Sequence, residues 1–224
     1  MTRRDFTIMT ATRILFFSVL ARCLSLFKIS FVVGSSATFF SLSGIGLPLA
    51  GIGRAGTLVA TGVALTHLAF KICFAGVWPS LHLLAFIIPG WCAGLYWASR
   101  SAWIRVGIPL LCFALFTLHP VGFWATPYAL YWLVPIILFY TGYSTIFATA
   151  LGSTFTAHAV GSVIWLYTMP MTVGNWYMLI PVVIAERLFY AIGMTLLVRL
   201  AQWIETKSSY IPALLARLGV PQRS

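Results

Sequence analysis

Long apolar runs return along this chain with charges only at their ends. The clearest cover 55–70, 81–98, 103–119, 129–148, 154–169 and 177–203. Windows of about 20 apolar residues match the roughly 30 Å hydrocarbon core of a bilayer, and a helix is the element that satisfies its own backbone there. The pattern predicts an all-α fold, a polytopic integral membrane helix bundle with six core transmembrane helices. Arg54, then Arg100 and Arg105, then the tail with Arg199, Lys207, Arg217 and Arg223 fall on one side if the six runs alternate. The opposite loops, 72–80, 120–127 and 170–176, carry no charge, with Lys71 alone at the edge of the first. Positive loops stay inside, so the C-terminus is expected in the cytoplasm.

The first 53 residues depart from this rhythm. Arg13, Arg22 and Lys28 punctuate one stretch, and the next, 30–53, is rich in Gly and Ser and passes through Gly44-Ile45-Gly46-Leu47-Pro48. Two readings stay open: a helical hairpin, making eight spans, or an interfacial amphipathic helix followed by a partly re-entrant segment. Thr2-Arg3-Arg4-Asp5-Phe6 has the look of a twin-arginine export signal. With so many apolar runs downstream it reads instead as a cytoplasmic basic flank. The expected organisation is a membrane-associated segment over 1–53, a six-helix core over 54–204 and a polar tail over 205–224, where Pro212 and Pro221 limit any helix.

Composition agrees. The 224 residues are 61% apolar and 8% charged, against about a quarter charged in soluble domains, and mean hydropathy is +0.98. Fourteen Lys and Arg against three acids give +11. The bases sit at the ends of apolar runs, where they fix orientation and meet anionic headgroups, so lipid rather than nucleic acid is the expected partner. The four cysteines, Cys23, Cys73, Cys92 and Cys112, stand singly in apolar surroundings and read as small buried hydrophobes. No disulfide framework, metal site or cofactor is expected.

Glu186 and Arg187 stand about nine residues into the last run, where a charge costs at least about 2.5 kcal/mol unless paired or hydrated. Neighbours on a helix point about 100° apart, so each is expected to seek a partner elsewhere or a wet cavity. Glu186 shares a face with Tyr190, and His158 shares one with Ser162 and Trp165. These faces are expected to meet, forming either a structural network or a ligand site. Most loop aromatics fit an interfacial belt. His119, at the end of one run, and Asn175-Trp176, in a loop at the same level, add an imidazole, an amide and a ring suited to a small planar solute.

Gly56, Ala60 and Ala64 make a stripe of small residues, as do Ser153, Ala157 and Gly161. Such stripes let helices approach closely, either within the bundle or against another membrane subunit. Enzyme readings find little support. Glu186 is the only acid in the six-run core, and there is neither a G-x-S-x-G elbow nor a phosphate-cradling loop. No catalytic residue is expected.

The stretch 148–194, ATALGSTFTAHAVGSVIWLYTMPMTVGNWYMLIPVVIAERLFYAIGM, resembles the final helix pair of substrate-binding S subunits of energy-coupling-factor vitamin transporters. The Gly56/Ala60/Ala64 stripe is similar to the small-xxx-small motif by which those subunits dock. The resemblance is one of layout over 55–203, and 1–53 departs from it. It implies a multi-pass protein of a bacterial or archaeal cytoplasmic membrane that binds a small organic, vitamin-like solute for uptake. It also implies a transmembrane coupling subunit and ATPases as partners. The rival classes are an intramembrane enzyme acting on lipid or peptide and a non-catalytic assembly factor.

Overall fold

The computed structural model describes residues 3–31, 39–74 and 81–207. Apart from one short ribbon these are helical. The chain runs α1 (Arg3–Ser25), β1 (Lys28–Phe31), β2 (Phe39–Ser41), α2 (Ser43–Leu49), α3 (Gly56–Cys73), α4 (Leu81–Leu84), α5 (Ile88–Ala98), a π-helical turn (Trp103–Gly107) leading into α6 (Ile108–Leu118), α7 (Pro120–Trp124), α8 (Thr126–Ala129), a 3₁₀ turn (Leu130–Trp132), α9 (Leu133–Tyr140), α10 (Ile146–Thr168) and α11 (Val173–Lys207). The two strands pair antiparallel, Lys28 opposite Ser41 and Phe31 opposite Phe39.

Among the described residues four helices are long and apolar enough to cross a membrane: Arg4–Ser25, Gly56–Cys73, Ile146–Thr168 and Val173–Ile204. The expected runs 103–119 and 129–148 correspond to shorter apolar helices, Trp103–Leu118 and Thr126–Tyr140. The run 81–98 divides into α4 and α5 around a turn at 85–87, with Pro89 in the first turn of α5, where its missing N–H costs nothing.

The expected run 129–148 is interrupted. Gly142 adopts a left-handed φ of 72°, and Thr145 caps α10, its hydroxyl accepting from the Ala148 N–H at 3.1 Å. Helix α10 therefore begins eight residues before the 154–169 run foreseen from hydropathy. In the N-terminal segment, the first part is a continuous 23-residue helix, and the described residues of the second part hold the strand residues of the ribbon and the seven-residue α2, followed by a turn.

Helix α10 is the central element, packing on α5, α11, α6 and α9. It is buried on nearly every face, which explains why its sequence shows no single apolar stripe. Two apolar clusters flank it. One gathers Phe116, Tyr128, Trp132, Phe155 and Trp176; the other gathers Phe17, Ile45, Val59, Val63, Tyr190 and Met194.

Small residues allow the closest approaches. A Cβ on Gly51 would stand 1.8 Å from the Gly94 carbonyl oxygen, and one on Gly56 would stand 2.0 Å from that of Gly51. Ala60 is buried, and a Cβ on Gly94 would fall 2.9 Å from its own. Gly56 and Ala60 thus serve contact with α5 and the turn before α3. Of the two readings of this stripe, these contacts fit packing within the bundle. Ala64 is half-buried beside His67 and Trp91.

Two arginines close the irregular backbone. Arg13, fully buried, donates to the carbonyls of Ala50, Ile52 and Arg54 in the turn after α2. Arg105 donates from Nε to Ser99 O and from Nη2 to Tyr96 O, both at 3.0 Å, and lies 4.4 Å over the Tyr96 ring. Buried carbonyls at a helix end require such partners, and a cation there complements the helix dipole.

Candidate functional site

Between the two apolar clusters lies a cavity of about 200 Å³, walled by α2, α5, α8, α10 and α11. Its longest walls follow helical spacing. From α10 come Thr154, Ala157, His158, Gly161, Ser162 and Trp165; from α11 come Trp176, Leu179, Val183, Glu186, Arg187 and Tyr190. Each set recurs at three- and four-residue steps, the periodicity of one helix face. Ala157 and Gly161 keep the α10 wall low, and this leaves the open volume.

Glu186 and Arg187 sit in the cavity wall at 8% and 5% exposure. They pair with each other: Arg187 Nη2 donates to Glu186 Oε2 at 3.3 Å. The expectation that adjacent residues could not neutralise each other is therefore corrected. Their Cβ atoms diverge, but the arginine side chain is long enough to curl back. Arg187 Nη1 also donates to Thr154 Oγ1 at 3.3 Å, joining α11 to α10, and its guanidinium stands 4.8 Å from the Tyr190 ring centroid. Tyr190 donates its hydroxyl to Ser41 O at 3.1 Å and so ties α11 to the strand before α2.

The other end is aromatic. The Tyr128 ring centroid lies 4.8 Å from that of Trp176 and 5.2 Å from that of His158, both edge-to-face. Tyr128 Oη and Ser162 Oγ share a hydrogen bond of 3.0 Å. The buried His158 Nε2 and Trp176 Nε1 make no hydrogen bond among the described residues. Polar atoms so placed are uncommon in folded proteins and each calls for an explanation.

Of the residues singled out from sequence, His158, Trp165, Trp176, Glu186, Arg187 and Tyr190 line this one cavity. His119 and Asn175 lie outside it. His119 precedes α7, where its Nδ1 accepts from the Val121 N–H at 3.2 Å and its ring packs 5.1 Å from that of Tyr167. Asn175 Oδ1 accepts from the Thr172 hydroxyl at 2.9 Å in the first turn of α11. Both are engaged in local turn and capping contacts and do not line this cavity.

Tyr128, Thr154, Ser162, Phe86 and the Ser41–Ser43–Gly44 corner also belong to the wall. Ser162 was already placed on the His158 face by helical spacing, and Thr154, four residues before His158 on the same helix, was within reach of the same reasoning. Ser41 and Gly44 carried no local signal, because long-range packing of α2 on α11 places them there. Among the described residues no group of three or more His, Cys, Asp or Glu could hold a metal ion. Comparison with protein-family models, with curated proteins and with solved structures found no match, so any assignment has to come from the cavity itself.

Proposed function

We propose that this protein is the solute-binding component of a membrane uptake system, taking a small, vitamin-like organic molecule into the cavity between α2, α5, α10 and α11. The observation that carries this reading is the cavity itself. It is mostly apolar and aromatic, with a few convergent polar groups, the usual constitution of a small-molecule site.

In this reading α3, α4–α5, Trp103–Leu118, Thr126–Tyr140, Ile146–Thr168 and Val173–Ile204 are the six core spans. Arg54, Arg100, Arg105 and Lys207 mark the cytoplasmic side. These 224 residues contain no phosphate-cradling loop, and in this reading, as the resemblance implies, energy comes from a separate coupling subunit and ATPases.

The test is to purify the full chain from its membrane and identify small molecules that co-elute, alongside a Glu186→Gln/Trp176→Ala double variant. A molecule retained by the wild type and lost from a folded variant supports the reading. A wild-type protein carrying only lipid, with no small molecule restored by incubation with cell extract, overturns it.

A further inference from the structure

We infer that the cavity selects an uncharged, planar heteroaromatic ligand, an amide- or lactam-like ring rather than a carboxylate or a cation; this rests on the solute-binding reading above. The first ground is the charge inventory. Among the described residues of the wall only Glu186 and Arg187 are ionic, and they stand 3.3 Å apart in direct contact. The wall is therefore close to electrically balanced, although the whole chain carries +11. A ligand bringing its own net charge would leave water and find no surplus counter-charge among the described residues of the wall, so its desolvation would go uncompensated.

The second ground is the kind of polar group offered. Thr154, Ser162, Tyr128, Ser41 and Ser43 bring neutral hydroxyls to the wall. Hydroxyls donate and accept in turn, which suits ring carbonyls, ring N–H groups and amides. The third ground is the rings. Trp176, Trp165, Tyr128 and His158 line the same volume. The indole N–H of Trp176 is purely a donor and, being buried without a partner among the described residues, calls for an acceptor. Aromatic walls favour flat ligands through stacked or edge contacts.

The experiment holds the ring constant and changes the charge. Full-length protein in lipid nanodiscs is titrated calorimetrically with nicotinamide, nicotinate and 1-methylnicotinamide, then with quinoline-3-carboxamide, its carboxylate and its N-methyl cation. In at least one ring size the neutral amide should bind at least tenfold tighter than both of its ions. Equal binding of all three, or tighter binding of an ion, overturns the inference. So does absence of binding by all six, which leaves the broader solute-binding reading to stand or fall on its co-purification test. A Glu186→Gln protein, where Arg187 loses its counter-charge, should shift preference toward the carboxylates by at least tenfold. An unchanged order in that folded variant shows that charge balance does not select. If the variant does not fold, the wild-type series decides.

Discussion

Arg187 and Glu186 are sequence neighbours that pair across a cavity wall, Nη2 to Oε2 at 3.3 Å, while Arg187 Nη1 reaches Thr154 of the adjoining helix. One guanidinium thus balances an acid on its own helix and joins α11 to α10. Removing only the acid should leave a buried cation. Glu186→Gln is expected to lower stability by about 3 kcal/mol, and Glu186→Gln/Arg187→Gln to recover part of that loss. Thermal unfolding of the four proteins in a double-mutant cycle measures the coupling. Additive losses would show that the pair is not energetically joined.

The residues inside and outside the cavity should separate in binding. Trp176→Ala and His158→Ala are expected to weaken retention of the bound solute at least tenfold, since each removes a ring from the wall. His119→Ala and Asn175→Ala, whose side chains serve local turns, should leave it unchanged. Equilibrium dialysis of the four purified variants reads the difference. A strong effect of His119→Ala would place the site elsewhere.

Arg13 caps the turn after α2. Arg13→Met keeps the length of the side chain and strips its donors, leaving the carbonyls of Ala50, Ile52 and Arg54 without them. At about 1–3 kcal/mol for a buried group that loses its partner, a marked fall in melting temperature is expected. Limited proteolysis should show new cleavage at 50–55. An unchanged melting temperature and digestion pattern would mean that other groups satisfy this turn.

Ala60 faces α5 rather than outward. Ala60→Leu should therefore cost about 1–3 kcal/mol of the chain's own stability by overpacking. Gly51→Ala, which would put a Cβ 1.8 Å from the Gly94 carbonyl oxygen, should be at least as harmful. A variant of Ala60 that keeps full stability and loses only association with another membrane protein would restore the docking role.

The interruption at 141–145 gives a topological expectation absent from the hydropathy pattern. In the six-span arrangement, reporters inserted at 142–144 should agree with reporters after Arg105 and at the C-terminus, and those at 170–172 should give the opposite signal. Opposite signals from 142–144 and Arg105 would remove Thr126–Tyr140 from the set of spans.

Much of the wall was legible before the fold. His158, Trp165, Glu186, Arg187 and Tyr190 stood out because polar groups are costly in apolar runs, and helical periodicity assigned them to inward faces. Two residues singled out with them do not line the cavity, because residue type alone does not separate a ligand group from a cap. His119 and Asn175 are chemically suited to binding, yet local backbone N–H and hydroxyl groups claim them.

The sequence by itself determined the helical class, the approximate positions of the apolar elements and the polar stripe on α10, because hydrophobicity and its period act locally along the chain. Tertiary structure alone decided three things. It turned the Glu186–Arg187 neighbours into an ion pair, since rotamers, unlike Cβ directions, answer to surrounding packing. It used the Gly56–Ala60 stripe for contact with α5, since which helix meets a small-residue face is a matter of non-local packing. And it brought Ser41 and Gly44 to the cavity beside Tyr190, across nearly 150 positions of chain, a proximity that no local pattern encodes.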